Sequence, residues 1–431
     1  MLARLLRVEE REIRPVLLAF SCFFCVLSSF YILRPIREEM GIFGGPENLP
    51  WLFTATFVGM VLAATAYAWL VARVPRGRIL PWAYHFFSMN LLLFFALWEW
   101  GVGRPVLARV YFVWLSVFNL LVVSVFWSLM ADTFRSTQGK RLFGLVAAGG
   151  SAGAIAGPLL TALLVERIGI APLFLFSVVL LEGAVVLGTR IVGWAEREGP
   201  GTLRAQAEDR VGGGPFAGFR AVVSSPYYLG MAGLMALYSI CSTVVYFEQA
   251  RIVGEAIQDS AARTALFARI DLAVDVASSA MQALGTGWLL TWAGVGTGLA
   301  LLPALTSIGL IGLALWPTVG MIVAVQILRR SVHYAVERPA REVLYTVVPP
   351  EDKYKAKGFL DTVVYRGADA IGGWLTTGLG AIGLGAVAVS IGAVPLAGIG
   401  IPLAYWMGRR LKDREHSRKE TERWPVTDVA S

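Results

Sequence analysis

The chain has 431 residues, a net charge of +8 at pH 7, and 56% hydrophobic residues against 16% charged. Counted with its 46 Gly and without its 13 Tyr, the apolar share is roughly 64%, where soluble domains hold about 45–50% apolar and about 25% charged residues. There is too little polar side chain to cover a soluble surface. An ordinary globule, a disordered chain, a collagen and a disulfide scaffold are excluded, and an all-α integral membrane protein remains.

Apolar runs long enough to cross about 30 Å of hydrocarbon fall at 15–33, 49–72, 79–100, 106–131, 143–165, 171–194, 227–250, 265–291, 295–315, 317–336, 358–382 and 385–408. They predict twelve transmembrane helices. The first is not a cleaved signal peptide, because it runs into Arg34-Pro35 and not into a small-residue cleavage site. Most of the 38 Lys and Arg then fall on one side, among them Arg4, Arg7, Arg11, Arg14, Arg73, Arg76, Arg78, Arg135, Lys140, Arg141 and the tail from Arg409 to Arg423. The positive-inside rule places both termini in the cytoplasm, with a bacterial inner membrane expected. The basic balance therefore reads as topology, and no nucleic-acid partner is expected.

Between the sixth and seventh runs lies a polar stretch, 195–226, with Gly199-Pro200-Gly201 and Gly212-Gly213-Gly214-Pro215. Such clusters mark a flexible linker. Its end, with Phe216, Phe219 and Arg220, is expected to lie along the membrane surface. The domain plan is a six-helix half over 1–194, the linker 195–226, a second half over 227–408 and a tail over 409–431.

The halves resemble each other. Setting 143–163 against 359–379 gives eight identities in 21 positions, including Phe143/Phe359, Ala152/Ala368, Ile155/Ile371, Gly157/Gly373 and Thr161/Thr377. This pairs the fifth span with the eleventh, and a similar shift pairs the first with the seventh. Two six-helix repeats related by an axis along the membrane normal describe the major-facilitator architecture, whose substrate site lies near the midplane. Gly149, Gly153 and Gly157 recur every fourth residue, which lets helix backbones approach closely. Packing within one half is the favoured reading, with a sliding contact between halves as the other.

Charges inside the spans are the candidate site. An ionised side chain at the bilayer centre costs about 2.5–3.5 kcal/mol on insertion scales, so it faces a partner or a water-filled cavity. The first group is Tyr31-Ile-Leu-Arg34-Pro-Ile-Arg37-Glu38-Glu39, where Arg34 and Arg37 form an anion-binding end and Glu38 a coupling group. The second is Glu248, expected to pair with Arg34 or to accept a proton or an amine. The third is Asp271 and Asp275, four apart on one helix face, which repel unless a proton or cation is shared. The fourth is Asp361, Arg366 and Asp369, where Arg366 and Asp369 have ion-pair spacing.

Cys22, Cys25 and Cys241 all fall in apolar runs, and the redox-spaced Cys22-x-x-Cys25 has no strand before it. It is read as a buried, inert pair. His85, His333 and His416 are far apart, and neither an HExxH nor a Walker A motif is present. No cofactor, metal site or enzymatic constellation is expected.

The stretch 337–364, ERPAREVLYTVVPPEDKYKAKGFLDTVV, resembles a segment of the ATP/ADP translocase family of plastids and intracellular bacteria. Pro339, Glu342, Tyr345, Lys353, Lys355, Lys357 and Asp361 match without a gap, and Arg341 stands where the family has lysine. Arg34 matches the family's first-span motif, with Arg37 again replacing lysine, and Phe126-Trp127 with Lys140-Arg141 resembles the segment before the fifth span. Glu248 fits a seventh-span glutamate after a one-residue adjustment, while Trp114 to Asn119 carries no acid where the family has one. The resemblance implies a major-facilitator fold and exchange of nucleotide against nucleotide or phosphate.

The expectation is a monomeric alternating-access transporter of an anionic metabolite, with ATP and ADP the first candidates. Exchange and proton coupling both stand open. Arg34, Arg37, Glu248, Arg341 and Arg366 bind substrate; Glu38, Asp271, Asp275, Asp361 and Asp369 couple or gate. The lysines 353–357 serve topology or anionic lipid equally well. Two alternatives are a proton-driven exporter of amphipathic compounds, using Asp271, Asp275 and Glu248, and a non-transporting scaffold or sensor.

Overall fold

The computed structural model describes residues 9–74, 76–134, 136–198, 217–349 and 356–423. They form α1 (Glu10–Phe43), α2 (Leu49–Arg73), α3 (Arg76–Glu99), α4 (Arg104–Thr133), α5 (Ser136–Ile168), α6 (Ala171–Glu198), the short α7 (Ala217–Val223), α8 (Pro226–Ala256), α9 (Ser260–Leu284), α10 (Thr286–Trp292), α11 (Gly294–Leu315), α12 (Val319–Val332), α13 (Arg338–Leu344), α14 (Tyr365–Ala381) and α15 (Ala386–Arg423). In hydrocarbon a helix satisfies its own backbone, which is why apolar runs of this length take that form.

Among the described residues, nine helices are long and apolar enough to cross a membrane: α1 to α6, α8, α11 and α15. The other three expected spans are interrupted. The eighth starts at Ser260 and breaks at Gly285, between α9 and α10. The tenth runs on past its expected end at 336, through a π turn at His333–Glu337, into α13. The eleventh opens on a second π turn at Leu360–Val364. The first helix also exceeds its expected end at 33, so Arg34, Arg37, Glu38 and Glu39 all lie within α1. Pro35 does not end that helix. Near it the Leu33 carbonyl accepts the Tyr111 hydroxyl at 3.0 Å and the Ile32 carbonyl accepts the Thr161 hydroxyl at 3.3 Å. Neighbouring helices thus supply polar groups to the perturbed turn.

The chain divides into two compact units, one of residues 1–210 with 253–275, the other of 211–252 with 276–431. Residues 253–275, which the six-plus-six plan assigns to the second half, group with the first. Of the expected linker, 199–216 lie outside the described residues; Phe219 on α7 is half exposed and its ring sits edge-on to Phe359 at 5.8 Å.

In the first unit α5 lies on the backbone of α1. A Cβ built on Gly149 would come within 2.3 Å of the Phe20 carbonyl oxygen, on Gly153 within 2.6 Å of that of Phe24, and on Gly157 within 2.7 Å of Tyr31 Cβ. The glycine repeat therefore packs within one unit. Cys22 is buried and its thiol donates to the Ala184 carbonyl at 3.5 Å. In the second unit the matching contact is α14 on α8, where a Cβ on Gly372 would reach Ile240 Cα at 3.1 Å.

Gly149→Ala should therefore destabilise the folded chain by about 1–3 kcal/mol, the usual cost of overpacking. Gly193→Ala on α6, where a Cβ meets nothing within 4 Å, should be neutral or stabilising by up to about 1 kcal/mol. Thermal unfolding of the two variants in detergent compares the signs.

Candidate functional site

In the second unit, polar residues recur at 326, 329, 333, 337 and 341, steps of three or four that place them on one face of the helix α12–α13. All five, Gln326, Arg329, His333, Glu337 and Arg341, are buried. The strip begins at α8, where Gln326 donates to Gln249 Oε1 at 2.5 Å. Arg329 donates to Gln326 at 3.2 Å and to the Ser242 hydroxyl at 2.9 Å. The His333 ring stacks on Tyr238 of α8, centroids 4.4 Å apart and 11° from parallel. Its Nδ1 lies 3.0 Å from Glu337 Oε2. Glu337 Oε1 is 3.9 Å from Arg341 Nη1, and Arg341 Nη2 is 3.9 Å from Asp361 Oδ1.

Pro339 explains why the helix widens here. Proline has no N–H and its ring strikes the carbonyl four residues back. The π turn before it relieves the clash, and side chains meet the released carbonyls. Thr286 of α10 donates to Ala335 O at 2.7 Å, and Gln282 of α9 to Tyr334 O at 2.9 Å. π turns of this kind gather at functional sites. The widening sets the spacing of His333, Glu337 and Arg341. Asp361, on the second π turn, completes the group with 42% of its side chain exposed.

Arg341 lies past the tenth apolar run. It is buried, with the Glu337 and Asp361 carboxylates on either side. At 3.9 Å neither carboxylate makes a hydrogen bond to it, and its buried Nη1 has no hydrogen-bond partner among the described protein groups. Nearby, Lys357 grips Glu342 with both contacts at 2.7 Å and lies over the Tyr345 ring at 5.5 Å. Lys353 and Lys355 lie outside the described residues. Farther along, Arg366 pairs with Asp369 at 3.3 Å, and Asp369 accepts from the hydroxyls of Ser239 and Thr243. Glu248 pairs with Arg251 at 2.7 Å, within its own helix.

In the first unit Arg34 faces Asp271 of α9 at 3.7 Å, with Asp271 almost fully buried. α9 thus carries the Asp271 carboxylate to Arg34 of α1 within this unit. Asp275 is buried on the same helix. Arg37 lies over the Phe112 ring at 3.7 Å, donates to the Phe112 carbonyl at 3.2 Å and pairs with Glu38 at 3.2 Å. The strongest ion pair here involves a residue the charge reading did not single out. Glu39 is completely buried and takes both a 2.6 Å and a 2.7 Å contact from Arg263, with Ser260 donating at 2.5 Å. Bidentate geometry is the strong form of this interaction.

No protein-family model matches the chain, and no curated protein matches it in sequence. Solved structures match its fold. A bacterial homologue of the iron transporter ferroportin, in an inward-facing state, superposes with a TM-score of 0.65 at 14% identity, over 92% of this chain and 99% of that one. A POT family transporter in complex with 5-aminolevulinic acid gives 0.63 at 11% identity, over 92% and 96%. The nucleoside transporter NupG gives 0.61 at 10% identity, over 93% and 98%. The fold is therefore all-α and major-facilitator-like, and the chain is an integral membrane protein.

Removing one member of a buried ion pair strands the other and costs about 3–5 kcal/mol, so Glu39→Ala should lose that much stability in a thermal melt. Thr286→Val, which leaves the Ala335 carbonyl without its donor, should cost about 1–3 kcal/mol. Both losses are expected without any change in helix content by circular dichroism.

Proposed function

We propose that this chain is a secondary transporter working by alternating access, set in a bacterial cytoplasmic membrane with both termini inside, and that its cargo is an anionic metabolite. Nucleotides are the first class to test. The fold likeness and the basic cytoplasmic ends support the first part. The cargo class rests on one observation, the buried Arg341 guanidinium held between two carboxylates at 3.9 Å with an N–H left over.

A buried charged donor without an acceptor is costly. A phosphate or carboxylate ligand offers oxygens that match the guanidinium fork, which lysine cannot reproduce bidentately. The segment resembling the ATP/ADP translocases supports the nucleotide reading further, because Arg341 and Asp361, and Glu342, Tyr345 and Lys357, are spatial neighbours. Arg34 and Arg366 are the other cargo candidates. Asp271 and Asp369, which hold them, are the gating candidates, together with Asp275, Glu38 and Asp361.

The test is uptake of labelled ATP into proteoliposomes preloaded with ADP. Uptake should exceed that into empty liposomes, and Arg341→Ala should cut the excess on the order of tenfold or more, the worth of a charged hydrogen bond. Arg341→Lys should restore only part of it. Equal uptake into loaded and empty liposomes by folded wild-type protein would sink nucleotide exchange. A charge-neutral Arg341 variant that transports normally would remove Arg341 from the path.

A further inference from the structure

The anion reading uses Arg341 but leaves unexplained why a histidine and a glutamate are buried beside it. His333 and Glu337 are both under a tenth exposed, 3.0 Å apart, and neither His333 Nδ1 nor Glu337 Oε2 makes an aligned hydrogen bond. Their own helix brings Arg329, Tyr334, Arg338 and Arg341; α8 brings Tyr238; α14 and the turn before it bring Asp361, Tyr365, Arg366 and Asp369. From α10 and α11 come Leu289, Leu290 and Leu302, which carry no charge.

Most of these charges are answered by partners of their own. Arg329 is bonded to Ser242 and Gln326, Arg366 to Asp369, and Lys357 to Glu342; Arg338 is exposed. What remains is Glu337 and Asp361 sharing the single guanidinium of Arg341. Two carboxylates against one cation leave one negative charge, and Glu337, the buried member, has an imidazole beside it. An uncompensated buried carboxylate is expensive. A proton on the imidazole cancels it, in a place where the imidazole already touches the carboxylate.

We propose that His333 and Glu337 together form a proton-binding site, and that a proton on this pair frees Arg341 to bind the anionic cargo, so that proton and anion are taken up together. The cargo half of this rests on the transporter reading above; the proton half stands on the His333–Glu337 geometry alone. The proton leaves a solvent hydronium, whose O–H bond breaks to give water as an N–H bond forms on a ring nitrogen of His333, and no other bond changes. Once it is bound, Glu337 is paired by the imidazolium, and Arg341 faces Asp361 and the cargo. Linkage is reciprocal, so the anion also strengthens proton binding. Anion affinity is then full below the midpoint of the pair and falls about tenfold per pH unit above it, since one proton accompanies each anion.

Two measurements on the purified full chain test this. The first is histidine NMR across pH 4–9. The chain has only three histidines, and His333→Gln identifies the signal of His333. Its midpoint should fall by about 1–3 pH units in Glu337→Gln, as removal of a carboxylate at this distance implies. An unchanged midpoint, or a His333 that does not titrate in either protein, overturns the proton site. The second is proton uptake from weakly buffered solution at pH 7 on addition of ATP, with binding followed by tryptophan fluorescence. Wild type should take up protons and Glu337→Gln none.

Binding of ATP without proton uptake by wild type overturns the coupling. No ATP binding alongside a shifted His333 midpoint overturns the nucleotide cargo and upholds the proton site. If Glu337→Gln does not fold, His333→Gln serves. It leaves a carboxyl alone to carry the proton, and its half-maximal uptake should shift away from the wild-type pH. A half-maximal pH identical to wild type overturns the pair.

Discussion

A charged side chain on a membrane helix has to find its partner inside the protein, because lipid offers none. Much of the architecture follows from that constraint. In the first unit it draws α1 and α9 together through Glu39 and Arg263, and again through Arg34 and Asp271. The start of α9 thereby groups with α1 to α6 although sequence order assigns it to the second half. In the second unit the same constraint strings Gln326, Arg329, His333, Glu337 and Arg341 along one buried helix face.

The backbone obeys the same rule. Pro35 and Pro339 each remove a donor from a long helix, and in both places neighbouring side chains supply polar contacts. Around Pro35 these are Thr161 and Tyr111; before Pro339 they are Thr286 and Gln282. Only the second proline is preceded by a π turn, and there a row of polar side chains lies on one buried face. A widened turn changes which residues share a face, so one imperfection in the helix sets the geometry of His333, Glu337 and Arg341.

This arrangement accounts for the split between ion pairs that hold the molecule and those suited to chemistry. Glu39–Arg263 is bidentate, short and buried, and Arg37 lies over the Phe112 ring and is hydrogen-bonded to α4. Groups so fully engaged have little left for a ligand. Arg341 differs in kind: it is buried but loosely held, poised between two carboxylates with its buried Nη1 unspent.

The membrane class, the helical fold and most helix positions were legible in composition and apolar run length, because crossing hydrocarbon demands both. So was the Arg366–Asp369 pair, since i,i+3 neighbours share a face wherever the helix goes. The close approach of α5 to α1 was legible in the Gly149–Gly157 spacing, which leaves backbone bare on one side. The polar period from 326 to 341 was also present, but the apolar run ends at 336, ahead of Pro339, so Arg329 and Glu337 were not read as site residues and His333 only as an isolated histidine. Only the tertiary structure decided which distant charge answers which: Asp271 for Arg34, Arg263 for Glu39, Asp361 for Arg341. Partner choice across helices depends on their rotation and relative height, which are set by packing against neighbours, and no spacing within one helix carries that information.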